Sequence, residues 1–234
     1  MSRPCIGGLA ATLIACSTCI CPARAGAAVQ EIVPEFNAFI RLSDRARLYL
    51  LGDVTVQRAE HSTEAEVGVH LDYTLVPILR PYLREADWAR DRYFWTRVGY
   101  VVLGSPDGES SGPTERRGLV EMTQRVALPE EVWLVNRARV DMRDLGGEFS
   151  TRYRLRMGIE REFTAGGVVM VPYVQAEAFY DTRYDYWNRR LFQAGVEFEI
   201  SRTWRIEPYV ARQTDSASAS ANVSRFGLVL KYFR

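Results

Sequence analysis

The chain has 234 residues, a formal net charge of +1 and four cysteines, all within the first 21 residues. A charge so close to zero gives no reason to expect nucleic-acid binding. Because no cysteine follows residue 21, the rest of the chain has no disulfide, cysteine nucleophile or zinc–cysteine site. No later stretch reaches the roughly 20 apolar residues of a membrane-spanning helix. A membrane protein with this sequence therefore crosses the bilayer as strands.

The first residues have the pattern of a secretory signal peptide. Arg3 precedes a run of small and apolar residues, which is followed by two small-x-small sites. Such sites suit signal peptidase, with cleavage expected after Ala25 or Ala27. We therefore expect residues 1–25 to be a signal peptide. The alternative is lipidation at Cys16, which ends a lipobox-like Leu-Ile-Ala-Cys sequence.

Alternation of apolar and polar residues predicts a series of strands. In residues 148–161 arginines at 152, 154 and 156 alternate with Tyr153, Leu155 and Met157. A strand places such residues on opposite faces, whereas a helix would spread the arginines around its circumference. In chain order, the predicted strands are 35–42, 46–58, 65–76, 93–103, 118–128, 132–143, 148–161, 168–181, 189–200, 203–213 and 222–233.

The lengths of the strands and of their connections favour an outer-membrane barrel. A tilted strand needs about 9–11 residues to cross a bilayer. Long polar connections alternate with short turns, as in such barrels: long at Ser105, Thr182 and Asp215, short at Pro129, Thr164 and Ser201. We therefore predict an all-β fold for residues 31–234, a single up-and-down antiparallel transmembrane β-barrel of about 12 strands after a cleaved signal peptide.

The eleven predicted strands leave an outer-membrane barrel one strand short of an even count. Bacterial barrels of this kind have an even count. The segment 78–90 is the best candidate for the twelfth strand, despite Pro81.

The arginine face of residues 148–161 limits where the apolar face can point. An arginine placed against lipid costs roughly 2–4 kcal/mol at the middle of a membrane, so this face must meet water or acid. One solution is a soluble secreted or periplasmic β-barrel binding protein with an apolar interior; the other is a membrane barrel with an apolar exterior. A ring of about 12 strands is too wide for an apolar filling, which favours the membrane barrel.

Aromatic residues near the strand ends favour the membrane barrel as well. Tyrosine and tryptophan form girdles at both membrane interfaces of such proteins. The predicted girdle residues are Tyr93, Phe94, Trp95, Trp133, Tyr180, Tyr184, Tyr186, Trp187, Trp204, Tyr232 and Phe233.

Several segments in order resemble the family of predicted outer-membrane barrels known as domain of unknown function 2490. The matching stretches are RVGY (97–100), NRARVDMR (136–143), RYRLR (152–156), PYVQAEAFYDTRY (172–184) and EPYV (207–210). They cover roughly the C-terminal two thirds of the chain. The resemblance implies an outer-membrane barrel and implies no activity.

With the apolar face outward, one wall of the lumen is predicted to be basic and the other largely acidic. The predicted lumen and solute-binding residues are Arg125, Arg137, Arg139, Arg143, Arg152, Arg154, Arg156, Glu177 and Glu197. Further inward acids are expected at Asp53, Glu66, Asp72, Glu199 and Glu207. Two interpretations follow. Either arginines and carboxylates pair and brace a closed barrel, or the arginines line a narrow porin-like pore for small anionic solutes.

No motif indicates an enzyme. The chain has no glycine-rich phosphate loop, no H-E-x-x-H and no nucleophile elbow, so we expect neither catalysis nor a cofactor or metal. An outer-membrane lipid-acting hydrolase is the alternative, with His70 as base and Asp72 as its orienting carboxylate. Expected partners in the outer membrane are its lipid and lipopolysaccharide, the barrel-assembly machinery during insertion and, for the pore, a small anionic solute.

Overall fold

The computed structural model describes residues 29–57, 62–75, 94–106, 114–217 and 222–234. The predicted signal peptide, Cys16 and Tyr93 lie outside these residues. No helix in the described part is long and apolar enough to cross a membrane. The strands are β1 (Val29–Arg41), β2 (Ala46–Gln57), β3 (Ser62–Thr74), β4 (Phe94–Gly104), β5 (Glu115–Ala127), β6 (Val132–Leu145), β7 (Glu148–Arg161), β8 (Phe163–Ala165), β9 (Val168–Asp181), β10 (Tyr186–Glu199), β11 (Trp204–Asp215) and β12 (Asn222–Phe233).

These strands form one closed sheet, so the predicted all-β barrel is confirmed. Neighbouring strands pair antiparallel around the ring, and β1 pairs with β12 in parallel from Val29↔Val223 to Phe39↔Phe233. The short β8 pairs only with β9 and lies outside the ring of the other eleven strands. An odd number of strands makes the first and last run in the same direction, which explains the parallel closure. Closure leaves no open edge in the ring of eleven strands.

The ring has one strand fewer than the even number expected from the sequence. The segment 78–90, predicted as the twelfth strand, lies outside the described residues. The strands on either side of it, β3 and β4, pair directly from Ala65↔Gly104 to Thr74↔Trp95. The described ring therefore closes without a strand between them.

The connections divide the barrel into two ends. The strand ends on either side of 105–114, 182–185 and 216–221 lie at one end of the barrel, the loop end, and those on either side of 128–131 and 200–203 lie at the other, the turn end. The connections predicted as long and short thus lie at opposite ends. The lengths of these connections do not all follow the prediction. The connection 182–185, predicted as long, has four residues, as many as 128–131 and 200–203. The loop end also has a two-residue turn with positive φ at Gly146 and Gly147 (61° and 96°), which glycine adopts without strain, and the longest separation in sequence, between β3 and β4, falls at the turn end.

The outer face of the barrel is apolar. On β7, Leu155 and Met157 are 53% and 60% exposed, while Arg152, on the opposite face of the same strand, is buried. Strands of about 12 residues with the usual 35–45° tilt span roughly 30 Å, the thickness of a hydrocarbon core. The exposed apolar residues of the wall include Val67, Val69, Leu71, Val98, Val120, Met122, Met142, Val174, Val210, Phe226, Leu228 and Leu230.

The predicted aromatic girdle is only partly correct. Tyr184, Tyr186 and Trp187 are exposed near the loop end, and Trp204 is exposed at the turn end. Three other predicted girdle residues instead point into the barrel. Each is an even number of residues away from the inward charged residues of its strand and therefore lies on the same face as they do. The three are Trp95, Trp133 and Phe233, of which Trp133 lies under Arg125 and Phe233 under Arg205.

An aromatic column fills the interior near the turn end. Phe233, Phe39, Tyr49 and His70 stack in sequence across β12, β1, β2 and β3, with ring centroids 4.8, 4.7 and 4.8 Å apart. The column crosses the parallel seam between β12 and β1. Guanidinium groups cover its rings, with Cζ 4.6, 4.4 and 4.1 Å from the ring centroids: Arg205 over Phe233, Arg47 over Phe39 and Arg97 over Tyr49. Such contacts stabilise most where water is excluded.

Candidate functional site in the charged interior

Glu177 on β9 collects three arginines in the middle of the barrel. Its carboxylate accepts hydrogen bonds from Arg137 Nη2, Arg154 Nε and Arg156 Nη2, each at 2.7 Å. Arg156 lies directly opposite Glu177 in the β7–β9 register, and Arg137 lies opposite Arg156 across β6 and β7. We call these four residues the Glu177 cluster. Its carboxylate therefore links three neighbouring strands.

Asp181, four residues further along the same face of β9, forms a second cluster near the loop end. Its carboxylate accepts from Arg143 Nη1 at 2.8 Å and from Arg152 Nη2 at 2.9 Å, while Arg183 in the following turn approaches to 3.2 Å. Arg143 also reaches Glu115 on β5 with Nε at 2.5 Å and Nη2 at 2.6 Å. The guanidinium group of Arg143 on β6 thereby connects this strand to β5 and β9.

Two more carboxylates lie between the arginines of β6 and β7. Asp141 accepts from Arg139 Nε at 2.5 Å, and its other oxygen is 3.7 Å from Arg154 Nη1. Glu121 on β5 lies within 4.0 Å of three guanidinium groups, those of Arg97, Arg137 and Arg139.

Alternating charge explains how so many arginines occupy one region. In the β6–β7 register Arg137 faces Arg156 and Arg139 faces Arg154, and like charges directly opposite each other repel. Glu177 and Asp141 bind to these pairs and offset the repulsion through charge-assisted hydrogen bonds. Removing one carboxylate would leave arginines buried and unpaired, which is the costly case for a buried ion network.

The opposite wall carries a separate set of ion pairs. Lys231 on β12 bonds to Glu197 at 2.7 Å and also to Glu207, and Arg205 reaches Glu197 at 3.2 Å. Gln193 donates to Tyr173 Oη at 2.7 Å, and that hydroxyl donates to Glu207. Further pairs link β12 to β1 and β10 to β11, namely Arg225 with Glu31 and Arg189 with Asp215.

The nine predicted lumen residues all lie on the inner face of the barrel. Eight belong to the networks above, and the ninth, Arg125, pairs with Glu160 and lies over Trp133. The prediction of a basic wall facing an acidic wall is wrong, however, since carboxylates stand among the arginines of the same strands. The sequence analysis did not name seven further inward charged residues, although each alternates onto the inner face of its strand: Arg47, Arg97, Glu115, Arg117, Glu121, Asp141 and Asp181.

His70 and Asp72 do not form the pair expected of a hydrolase. The Asp72 carboxylate accepts from Arg47 Nε and Arg97 Nε, both at 2.6 Å. His70 stacks on Tyr49, and neither ring nitrogen has a hydrogen-bond partner among the described residues. Gly99 makes room for this ring, because a Cβ there would lie 1.9 Å from His70 Nδ1. The histidine therefore packs as an aromatic ring.

Several inward carboxylates are buried among the side chains of the interior. Asp72, Asp141 and Asp181 have 0% exposure, and Glu121 and Glu177 are buried. Each of the three aspartates binds at least two arginines. Among the described residues, no three His, Cys, Asp or Glu side chains are arranged to hold a metal ion. The arrangement therefore links strands to their nearest and next-nearest neighbours in the ring through charge-assisted hydrogen bonds.

Comparisons with known proteins give similarity to solved structures. No protein-family model matches the chain, and no curated protein matches it. Among solved structures, the chain is similar to the crystal structure of the beta domain of the Bordetella autotransporter Brka, at 14% identity and a TM-score of 0.46. That similarity covers 80% of this chain and 82% of that chain.

Proposed function

We propose that this protein is an integral β-barrel of a bacterial outer membrane, closed inside by its own ion pairs, with a structural role. The observation that carries the closed interior is the complete burial of Asp72, Asp141 and Asp181. In a water-filled channel such carboxylates would be hydrated, whereas here guanidinium groups take the place of water. A solute anion would have to displace one of these carboxylates to bind the same arginines.

The apolar exterior supports the membrane location. A soluble antiparallel barrel faces water with polar residues and packs apolar residues inside. This barrel does the reverse, with Leu155 and Met157 outside and the Glu177 cluster inside. An apolar surface that surrounds the whole wall far exceeds the few hundred Å² that soluble monomers expose. The expected signal peptide agrees with export, and the resemblance to domain of unknown function 2490 stays a prediction.

Leu155→Arg tests the membrane location. At the middle of β7 the substitution places a cation against lipid and should reduce the stability of the barrel in liposomes by about 2–4 kcal/mol. Phe149→Arg, on the same face at the end of the same strand, should cost about 0–1 kcal/mol. Urea titration of liposome-inserted protein, followed by tryptophan fluorescence, measures both. Equal stability of the two variants and the native protein would identify a soluble barrel instead.

Conductance in planar bilayers tests the closed interior. The native protein should insert without current steps, because the ion pairs occupy the lumen. Replacing Arg152, Arg154 and Arg156 together with glutamine should lower the unfolding temperature. An anion-selective current in the native protein, reduced by the same triple substitution, would instead establish the narrow pore for small anionic solutes. The pore retains one supporting observation, since Arg156, Arg189 and Arg225 keep 22–29% of their side-chain surface exposed.

A non-enzymatic role is part of this proposal. The only histidine considered for catalysis is stacked and buried, and its expected carboxylate binds Arg47 and Arg97. Phospholipid turnover by the native protein that is lost on His70→Ala, while the variant still folds, would restore the lipid-acting hydrolase.

A further inference from the structure

Two arginines stand on the outer, apolar wall near the loop end. Arg190 on β10 and Arg212 on β11 are exposed and have the outward parity of Phe192 and Val210. The register pairs Phe192 with Arg212 and Arg190 with Thr214, so the two arginines are diagonal neighbours, roughly 7–8 Å apart or less. Among the described residues neither has an ion pair, and Arg212 Nη2 makes only a 3.4 Å contact with Asn222 Oδ1. Their charge is thus available to an external anion.

Each arginine lines an apolar groove in the wall. The groove of Arg212 has a volume of about 650 Å³, and that of Arg190 about 450 Å³, both within the range of small-molecule sites. Phe192 lies between the grooves and contributes to both. Small side chains leave the space on either side of this ring, Ala194 in the first groove and Ala138 and Ala178 in the second. On β10 and β11 each arginine is the lining residue closest to the loop end.

We propose that this face binds a phosphorylated membrane lipid, with its phosphate between Arg190 and Arg212 and its acyl chains in the two grooves beside Phe192. Paired guanidinium groups match the geometry of a phosphate, and an apolar groove that faces hydrocarbon suits an acyl chain. Trp187, in edge contact with Tyr180 at 5.8 Å, lies at the same end of β10. Such rings mark the headgroup level of membrane proteins.

The positive charge of this patch favours an anionic lipid over a second copy of the chain as its ligand. A two-fold interface on this wall would place the same surface of both copies face to face. An interface centred on this patch would bring Arg190 and Arg212 of one copy close to those of the other, with no carboxylate between them. An anionic headgroup removes that repulsion. The inference rests on the proposed membrane location. The experiment below distinguishes a failure of the lipid site from a failure of the membrane location.

Lipid retention by the detergent-solubilised, processed protein tests the site. Native mass spectrometry should show dimyristoyl phosphatidylglycerol retained in preference to dimyristoylglycerol, which has the same chains and no phosphate. An arginine near a lipid surface contributes about fivefold in affinity, so Arg190→Gln with Arg212→Gln should reduce phosphatidylglycerol binding about 25-fold. Arg116→Gln is the matched control, an exposed outward arginine at the same end of β5. It should leave retention unchanged.

Two further measurements separate the phosphate from the chains. Ala194→Phe fills the larger groove and should reduce retention of both lipids equally. Glycerol 3-phosphate, a headgroup without chains, should not displace bound phosphatidylglycerol. Displacement at equal concentration would identify a site for free phosphate, and unchanged retention in the Arg190/Arg212 variant, or equal loss in Arg116→Gln, would overturn the lipid site. Liposome insertion of the same variants is measured in parallel, so a failure to insert contradicts the proposed membrane location and not the lipid site alone.

Discussion

Replacing Glu177 with glutamine is expected to lower the free energy of unfolding by about 3–5 kcal/mol, the cost of removing one partner from a buried ion network. Arg137, Arg154 and Arg156 all bind this carboxylate at 2.7 Å. Glutamine keeps the volume but loses the charge, so three cations remain together in a buried site. Equilibrium unfolding in guanidinium chloride, followed by circular dichroism of detergent-folded protein, measures the change.

Glu148→Gln is the control for this measurement, because that carboxylate is exposed at the start of β7. Its effect should stay within about 0.5 kcal/mol, as for ordinary surface substitutions. Replacing Glu177 and Arg154 together with methionine should be less destabilising than Glu177→Gln alone, since that change removes a cation along with the anion. Equal stability of Glu177→Gln and Glu148→Gln would mean that water reaches the cluster, contrary to a closed interior.

Truncating Phe39, an inward and partly buried ring, to alanine should cost up to about 3–5 kcal/mol, the range for buried phenylalanines. The ring stacks on Phe233 at 4.8 Å and on Tyr49 at 4.7 Å, and Arg47 covers it at 4.4 Å. Its loss leaves a cavity at the parallel seam, where pairing is slightly weaker per residue than in antiparallel strands. Thermal unfolding and backbone hydrogen exchange of β1 and β12 detect both effects.

Phe36→Ala on the same strand serves as the comparison. Phe36 points outward, is half exposed and contacts Trp204 with centroids 6.5 Å apart. Its truncation should cost distinctly less and should leave exchange at the seam unchanged. If the two variants were equally stable, the aromatic column would contribute no more than the outer wall.

The odd strand number has a geometric consequence for the barrel. β1 begins at the loop end and β12 finishes at the turn end, because an odd number of crossings separates them. The seam between them is held by backbone pairing over eleven residues of each strand, by Arg225 with Glu31 and by the aromatic column. Side-chain contacts thus reinforce the one parallel pair of the ring.

Strand positions and faces were accessible from the sequence alone, because both follow from a local two-residue period. Residues 148–161 were predicted as a strand and form β7 with the same bounds. The main error lies at β1, predicted from residue 35 but starting at Val29. In the structure Pro34 lies opposite Leu228 in the parallel seam, and the pairing of β1 with β2 skips Val33 and Pro34, where proline has no N–H to donate.

The position of a residue in the two-residue alternation of its strand indicates which face of the sheet it lies on. It does not indicate which residue of another strand it pairs with. Arg137, Arg154 and Arg156 were predicted to face inward, yet their meeting on Glu177 depends on the register of β6, β7 and β9. The ring number, the parallel seam and the inward turn of Trp133 and Phe233 were likewise decided by tertiary structure. The physical reason is that alternation is encoded within each strand, whereas closure and ion pairing depend on hydrogen-bond register between strands far apart in the chain.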